Sequence, residues 1–271
     1  MKKIILSLFF FLLMLLNFNL KANAEVISGK INHDDINIKN QVVDFKTQKP
    51  IKNAKISIPE LNYTTYSDEN GLFRLRTGVS DKSVLVVEKD GYKVFSLTVD
   101  NNILKNSLKL GIEKSEPFDL QITSQVIHLG DNMFSSNSAN CKEFRANASG
   151  HFFSQNFKRP SYAPNQKVVI KIGSIIGLDT KKAKSIGQNR IAKVYSSPME
   201  VYVNGNLIST IEINQDNLEI QIPFAVLKED NELVIKTGRN LFQTEYIDYD
   251  DCELANIRIE VKNKEIFARK K

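Results

Sequence analysis

The segment Glu200–Ile208 reads EVYVNGNLI, and it indicates the class of fold more clearly than any other stretch. Apolar residues lie on both sides of Asn204-Gly205, the pair that best accepts the positive φ angles of a two-residue hairpin turn. Short alternating runs separated by turn residues recur from Ile36 to the C-terminus, and long helical periodicity is missing. This pattern predicts an all-β chain built from β-sandwiches.

The last strand is predicted over Ala255–Val261. In an extended segment, side chains alternate between two faces, which here separates an apolar set from a polar set. The apolar set is Ala255, Ile257, Ile259 and Val261, and the polar set is Asn256, Arg258 and Glu260. We therefore expect one face of this strand to be buried and the other to face water.

Residues 1–24 have the composition of a secretory signal peptide. A positively charged start precedes a nearly continuous apolar run from Ile4 to Leu16, and Ala22-Asn23-Ala24 has the small-x-small pattern of a cleavage site. The run is shorter than the ~20 apolar residues that span a bilayer. A retained anchor is the alternative, although the polar residues from Asn17 onward make a poor one. We expect a mature chain from Glu25 that is secreted, periplasmic or at the cell surface, without a transmembrane anchor.

The charge of the mature chain argues against a nucleic-acid partner. Cleavage removes three lysines and no acidic residue, so the net charge falls from +6 to +3, which is too mild to indicate nucleic-acid binding. The remaining length is enough for two modest hydrophobic cores rather than one large core.

Three motifs occur in order between Ile36 and Ile112. They are TQKPIKNA at Thr47–Ala54, SDENGLF at Ser67–Phe73, and KDGY at Lys89–Tyr92. Together they resemble the carboxypeptidase regulatory-like domain, although Ser67 replaces the usual threonine and Asn40 stands where a glycine is common. The resemblance implies that residues 25–112 form a small transthyretin-like Greek-key sandwich that accompanies other domains and has no catalysis of its own.

Peptidase chemistry does not follow from that family name. A zinc carboxypeptidase needs a His-x-x-Glu pair and a distant third ligand, and the nearest match is His128-Leu129-Gly130-Asp131. The sequence motifs of serine hydrolases, dinucleotide-binding enzymes and phosphate-binding loops are also missing. We therefore expect that the protein is not an enzyme.

The polar, proline-ended stretch Glu113–Pro117 is the predicted boundary of a second domain, residues 113–271. Four segments of this domain together resemble a galactose-binding-like jelly roll, the architecture of many carbohydrate-binding modules. They are His128–Asn132, Val201–Gly205, Leu227–Leu233 and the pair Asp250-Asp251. In the resemblance an aromatic residue commonly follows the paired aspartates, whereas this chain has Cys252.

Cys141 and Cys252 are the only cysteines, 111 positions apart. An exported chain meets an oxidising compartment, which favours a disulfide between them. The chain-entropy model gives roughly 4–5 kcal/mol for a loop of this length. Two free buried thiols are the alternative, because the sequence does not report the separation of the Cα atoms.

Four acidic residues, Asp248, Asp250, Asp251 and Glu253, crowd the entry to the last strand. In a jelly roll this entry can lie beside the early loop, and Ca²⁺ prefers six to eight oxygen ligands. We therefore predict a structural calcium site, with an acidic surface turn as the equally weighted alternative. Its ligands would be Asp131, Asn132, Asp250, Asp251 and Glu253. Glycoside hydrolysis is disfavoured, because it needs two carboxylates that flank a cleft.

Four tyrosines in turn-rich stretches are the candidate ligand-binding residues, because tyrosine combines an apolar ring with a polar tip. They are Tyr162, Tyr195, Tyr246 and Tyr249. The chain contains no tryptophan, which weakens a sugar-binding interpretation without excluding it. The cluster Phe152, Phe153 and Phe157 is more typical of a core.

The segment Thr180–Lys193 carries five cations and no acid. It could contact anionic polymers, although a solvated loop is favoured. The sequence thus predicts an exported module for carbohydrate or another cell-surface polymer. The alternatives are an envelope structural or adhesion component that acts through protein partners and, less favoured, a polysaccharide hydrolase.

Overall fold

The computed structural model describes residues 39–79, 82–133, 144, 147–188 and 194–264. The predicted signal peptide, residues 1–24, lies outside these ranges. The described residues form fifteen strands, and their helices are single turns, so the prediction of an all-β sandwich fold is confirmed. None of those helices has the length and hydropathy needed to cross a membrane.

Seven strands form a first sandwich. One sheet has the order β4-β1-β7 and the other the order β3-β2-β5-β6, and a core that includes Ile56, Leu85 and Leu110 lies between them. The strands are β1 (Asn40–Asp44), β2 (Lys55–Ile58), β3 (Tyr63–Tyr66), β4 (Leu72–Phe73), β5 (Ser83–Glu88), β6 (Phe95–Val99) and β7 (Lys109–Ile112). A 3₁₀ helix (Pro59–Leu61) follows β2, and a short helix (Asn101–Leu104) follows β6.

The two departures from the family pattern have structural roles in the first sandwich. The Ser67 hydroxyl accepts a hydrogen bond from the Ala54 amide (2.8 Å) and donates one to the Ile51 carbonyl (2.7 Å). The Asn40 side chain accepts a hydrogen bond from the Leu108 amide (2.9 Å). Both side chains are buried, so each satisfies backbone groups that water does not reach.

Eight strands form a second sandwich. One sheet has the order β8-β15-β10-β13, the other has the order β9-β14-β11-β12, and all the pairings are antiparallel. A core that includes Ile172, Val201 and Ile257 fills the space between the sheets. The strands are β8 (Leu120–Leu129), β9 (Phe152–Lys158), β10 (Gln166–Ile176), β11 (Met199–Val203), β12 (Asn206–Ile211), β13 (Gln215–Gln221), β14 (Asp230–Lys236) and β15 (Cys252–Asn263).

The predicted hairpin at Glu200–Ile208 is present as β11 and β12. Asn204 and Gly205 form its turn with φ angles of 52° and 77°, as expected of an Asn-Gly pair. The Asn204 side chain also donates to the Val226 carbonyl and accepts from the Glu232 amide, which ties the turn to β14.

The prediction that one face of β15 faces water is wrong. Its polar residues Asn256, Arg258 and Glu260 are 1%, 7% and 2% exposed. The first sandwich covers them: the Asn256 side chain and the Arg258 guanidinium both donate to the Val94 carbonyl, at 2.7 and 3.1 Å. The central strands of this sheet, β10 and β15, are therefore buried on both faces.

We call this contact between the sandwiches the joint. Its apolar part joins Val84 and Val86 of β5 to Ile176 and Ala255 of the second sandwich. Its polar part contains the residues Lys93, Val94, Ser96, Thr98, Gly173, Ser174, Asp216, Asn256, Arg258 and Glu260. Both sandwiches belong to one compact unit, residues 38–271, and the predicted boundary at 113–117 falls between β7 and β8.

Candidate functional site

The loop after His128 and the entry to β15 meet, as the sequence predicted. Antiparallel pairing of β8 with β15 places Leu129 opposite Cys252 and His128 opposite Glu253. The approach at Gly130 is so close that a Cβ there would lie 2.1 Å from Asp251 Oδ1. The end of β8 and the start of β15, the first and last strands of the second sandwich, therefore lie side by side here.

The acidic residues at this edge accept hydrogen bonds from neighbouring segments. Asp251 Oδ1 lies 2.9 Å from His128 Nε2 and 3.2 Å from the Asn132 amide nitrogen. Asp131 accepts from the Met133 amide through Oδ1 (3.0 Å) and from the Tyr249 amide through Oδ2 (2.8 Å). These carboxyl groups therefore cross-link the loop after β8 to the entry of β15.

Asp248 and Asp250 make similar links to other segments. Asp248 Oδ2 accepts from Asn240 Nδ2 at 2.9 Å, and Asp250 Oδ2 accepts from the Asp179 amide at 3.1 Å. Both side chains are almost completely buried. We call the set Asp131, Asp179, Asp248, Asp250 and Asp251 the acid end of the second sandwich.

Burial and mutual repulsion favour protonation within the acid end. Burial, with the charge of Asp179 as a second cause, raises the pKa of Asp250 well above its ordinary range. Burial also raises the pKa of Asp131, and the Asp251 and Asp248 carboxylates add to that rise. These raised pKa values favour the protonated, uncharged forms, which repel one another less.

Glu253 lies apart from this set. Its carboxyl group is buried and lies near that of Glu60 in the Pro59–Leu61 helix of the first sandwich. Burial and the Glu60 carboxyl raise the pKa of Glu253 to about 10. Of the five predicted calcium ligands, Asn132 and Asp251 are in contact through the Asn132 amide. Asp131 and Asp250 instead accept from the Tyr249 and Asp179 amides, and Glu253 lies near Glu60 of the first sandwich.

Within the described ranges, no group of three or more His, Cys, Asp or Glu side chains is arranged to hold a metal ion. The oxygens of Asp131, Asp250 and Asp251 named above accept hydrogen bonds from N–H groups, so these acids have partners that do not require an ion. A structural calcium ion stays a prediction.

Cys252 carries a free and fully buried thiol, with Sγ 3.3 Å from Thr237 Oγ1. Burial raises the pKa of this thiol well above its ordinary range, so it is a poor nucleophile. Its predicted disulfide partner, Cys141, lies outside the described residues, and the disulfide stays a prediction.

Four short segments cross the acid end side by side. Thr180 is bridged to Ser196, Ser196 to Asn240, and Arg239 to Tyr249. Backbone hydrogen bonds from Leu241 to Tyr195 (3.1 Å) and from Asn240 to Asp248 (2.8 Å) extend these bridges. The segments thus form a small ladder in which side chains alternate between an inner and an outer side.

The alternation explains the sequence Asp248-Tyr249-Asp250. Asp248 and Asp250 point inward and are buried, whereas Tyr249 is half-buried and its ladder partner Arg239 is exposed. Thr180, Ser196 and Asn240 are likewise buried on the inner side. The acids therefore stabilise the inside of the ladder, and the outer side is left to aromatic and basic residues.

An apolar surface covers this outer side, and we call it the aromatic face. The exposed fractions are 51% for Leu241, 57% for Phe242, 41% for Tyr246 and 56% for Ile247. The Tyr195 ring meets Phe242 edge-on at a centroid distance of 4.8 Å. The aromatic face comprises Tyr195, Leu241, Phe242, Tyr246, Ile247 and Tyr249, and it brings together three of the four predicted ligand-binding tyrosines.

His151 and Phe152 extend the aromatic face toward β9. The His151 ring stacks on Tyr249 with centroids 4.4 Å apart, and Phe152, 48% exposed, meets His151 at 5.2 Å. Sequence reasoning missed His151 and treated Phe152 as core. Of the phenylalanine cluster, Phe157 is buried in the core and Phe153 packs against it, as expected.

Tyr162 lies at the opposite end of the second sandwich. Tyr162 precedes β10, whose first residue, Gln166, pairs with Asn263. The last residue of β10, Ile176, pairs with Glu253 beside the acid end, so Tyr162 lies at the far end of this strand. The Tyr162 ring stacks on Phe224 at a centroid distance of 5.0 Å. The structure therefore does not bring Tyr162 to the other three tyrosines.

The basic segment borders the aromatic face through a short helix, Lys181–Ser185. Lys184 Nζ lies 5.6 Å from the centroid of the Tyr195 ring. Residues 189–193 of the same segment, including Arg190 and Lys193, lie outside the described residues.

A separate cleft of about 590 Å³ lies in the first sandwich. Its lining mixes the aromatic ring of Phe45 with basic and acidic side chains, including Lys46, Lys114 and Glu113. None of the predicted site residues contributes to it.

Comparison with known families finds a match for the first sandwich. Residues 38–122 match the family model of the CarboxypepD_reg-like domain, as the three motifs predicted. No curated protein matches the sequence.

Three solved structures show distant similarity at 10% identity. Wild-type BuGH86 in complex with neoagarooctaose has a TM-score of 0.29, with 84% of this chain and 31% of that chain covered. Dimeric latent PorU from Porphyromonas gingivalis has a TM-score of 0.23, with 75% and 21% covered. A Bacteroides uniformis protein provisionally described as carbohydrate binding has a TM-score of 0.19, with 83% and 97% covered. The chain spans less than a third of the first two, and at TM-scores this low the likeness establishes no shared function.

Proposed function

We propose that this protein is an exported, non-catalytic module that binds carbohydrate or another cell-surface polymer through the aromatic face. The observation that carries the proposal is the group of exposed and half-buried rings at one end of the second sandwich. Tyr195 and Phe242 are in edge-on contact, and Tyr249 is held by stacking on His151. Exposed apolar patches rimmed by polar residues are typical of binding surfaces.

The inner side of the ladder supports binding by holding these rings in place. Asp248 and Asp250 anchor the segments on either side of Tyr249, and Asp131 accepts from the Tyr249 amide itself. A surface that is ordered before the ligand arrives loses less conformational entropy on binding. Aromatic rings can then contact the C–H surfaces of sugar rings, and the tyrosine hydroxyls can hydrogen-bond to their hydroxyl groups.

The burial of the acids supports a non-catalytic role. A general acid or base must come within hydrogen-bond reach of its substrate. His128 and Asp251 form the pair that most resembles a catalytic arrangement, but they are only 3% and 0% exposed. A pair so enclosed is suited to structural support of the loop after β8 rather than to hydrolysis.

The strand order supports the more specific interpretation of the second sandwich as a galactose-binding-like jelly roll. Eight antiparallel strands in two four-stranded sheets, with β15 between β8 and β10, are the arrangement expected of a jelly roll. Export follows from the predicted signal peptide, residues 1–24, and would place the module in the periplasm, at the cell surface or in the medium.

Glycan-array binding of the mature chain, with and without calcium, tests the proposal. We expect binding that Tyr195→Ala with Phe242→Ala weakens by about tenfold or more, since stacking on such rings contributes much of the contact area. The matched control is Tyr162→Ala with Phe224→Ala, which removes the stacked pair at the other end. Loss of binding in the control alone would move the site to that end, and wild-type binding in both would contradict the proposal.

One observation favours the alternative of an envelope component that recruits proteins. Strand β12 is an edge of its sheet, and Leu207 on it is 51% exposed. Edge strands can pair with strands of another chain. A stable complex in envelope pull-downs, lost on Leu207→Lys and accompanied by no glycan binding, would favour this alternative.

A further inference from the structure

A basic helix stands beside the aromatic face. Thr180 caps the Lys181–Ser185 helix by accepting a hydrogen bond from the Ala183 amide, and buried Ala183 anchors the helix to the sandwich. Lys181 and Lys184 are three residues apart, so they lie on the same side of the helix. Lys184 Nζ is 5.6 Å from the Tyr195 ring centroid, within the range of a cation–π contact. This side of the helix therefore faces the aromatic face.

Arg239 adds a third cation from another segment. It is exposed and lies directly opposite Tyr249 in the ladder. Residues opposite each other in an antiparallel pair project to the same side of the sheet. Arg239 therefore projects on the side of Tyr249, so that cations flank the aromatic face at both Tyr195 and Tyr249.

The acids of this region do not cancel these charges at the surface. Asp179, Asp248 and Asp250 are 3%, 1% and 0% exposed and serve the inner side of the ladder. Within the described part of the loop 241–247, Glu245 is the one acidic residue, and it is exposed. Glu212, whose carbonyl accepts from Thr180 Oγ1, is a second exposed acid near the helix. Two exposed acids thus stand against Lys181, Lys184 and Arg239, and the outer surface combines rings with a small excess of positive charge.

We propose that the polymer bound at the aromatic face is anionic, a polysaccharide that carries carboxylate or sulfate groups. The inference rests on the proposed function and specifies its ligand class. A sugar ring that stacks on Tyr195 or Phe242 presents its substituents at the rim of the face. Lys181, Lys184 and Arg239 lie at that rim and attract negative substituents there.

The test compares polymer pairs that share a backbone and differ in charge. Affinity electrophoresis of the mature chain in polygalacturonate against its methyl ester separates carboxylate from neutral sugar. Dextran sulfate against dextran does the same for sulfate. We expect retardation by at least one charged member and little by its neutral partner, and binding that weakens about tenfold between 50 and 300 mM NaCl through screening.

Three variants separate this inference from the proposed function. Lys181→Gln, Lys184→Gln and Arg239→Gln together are expected to weaken charged-polymer binding about tenfold and to flatten its salt dependence. The control replaces Lys39, Lys105 and Lys109, three exposed lysines of the first sandwich, with glutamine and removes the same net charge. Tyr195→Ala with Phe242→Ala removes the rings and leaves the cations.

Each outcome supports or overturns a defined statement. Loss in the first variant with retention in the lysine control supports an anionic ligand at this face. Equal binding to charged and neutral members, unchanged in the first variant, overturns the inference and leaves carbohydrate binding standing. Equal loss in both charge variants means that overall charge drives binding and overturns the site. Wild-type binding in the ring variant contradicts the proposed function itself.

Discussion

In the joint, Glu260 lies among the cations Arg258, Lys93 and Lys262, whereas at the acid end Asp250 lies among the acids Asp179 and Asp251. Both carboxyl groups are almost fully buried. Burial alone would raise both pKa values, but the three cations outweigh it and hold the pKa of Glu260 at about 2. The pKa of Asp250 is raised instead. The joint therefore favours the ionised form of Glu260, and the acid end favours the protonated form of Asp250.

The difference shows that this protein accommodates buried carboxyl groups in two ways. At the acid end the raised pKa favours the uncharged form of Asp250, and hydrogen bonds to the carboxyl groups link local segments. Ion pairing in the joint keeps the charge, and a buried pair is stable only when its partners stay in position. Because Lys93 comes from the first sandwich and Glu260 from the second, we infer that the joint fixes the mutual orientation of the two.

Replacing Arg258 with alanine should give the largest effect. The free energy of unfolding should fall by about 3–5 kcal/mol, because Glu260 stays buried with one cation fewer. Urea denaturation of the mature chain measures this change. The control is Lys158→Ala at the exposed pair Lys158–Asp230, where little or no loss is expected because solvent screens the pair. Similar losses in both variants would contradict the ionic role of the joint.

Gly173→Ala tests how closely the sandwiches approach in the joint. A Cβ at this position would lie 2.2 Å from Ser96 Oγ, so the variant should lose roughly 1–3 kcal/mol, as overpacked sites do. Ser96→Ala in the same chain should restore part of the loss, because it removes the obstructing oxygen. Gly78→Ala is the control, since its nearest obstacle is an Asn101 side-chain oxygen at 3.3 Å. An equal loss with and without Ser96 would place the strain elsewhere.

The joint also shows what the alternation of apolar and polar residues in a strand does not predict. The sequence of β15 correctly separates Ile257 and Ile259 from Arg258 and Glu260, but it does not say what covers the second set. A polar face pairs with a partner as readily as with water, and the partner here is the distant segment around Val94. The Asn-Gly hairpin was predictable because its cause is local.

The candidate site was likewise predictable only in part. The alternation of Asp248, Tyr249 and Asp250 places acids on one side and a ring on the other, and the sequence contains this information. Which side faces inward depends on the bridges to Ser196 and Asn240, residues that belong to other segments. Phe242 and His151 join Tyr195 and Tyr249 only through that folding, and no local signal marks them.

Glu253 extends the comparison, because the free energy of unfolding should depend on pH through its carboxyl group. Its pKa is raised from an ordinary 4.5 to about 10, so the folded state favours the protonated form. This contribution to stability is fully present below about pH 4.5 and is lost as the pH rises toward 10, by at most ~1.4 kcal/mol per pH unit. Glu253→Gln should therefore stabilise the protein more at pH 8 than at pH 5. Parallel stability curves for wild type and variant would contradict this assignment.

Calcium should have the smallest effect if the acid end is stabilised as described. The bonded oxygens of Asp131, Asp250 and Asp251 already accept N–H donors, and an ion would have to displace these donors and favour ionisation of Asp250 against its raised pKa. We expect 5 mM calcium to change the melting temperature by less than about 1 °C relative to magnesium, because an ion that does not bind the native state adds nothing to its stability. A calcium-specific rise of several degrees that Asp131→Asn abolishes would instead establish the predicted calcium site, and the acid end would then hold its charges with an ion, much as the joint holds Glu260 with cations.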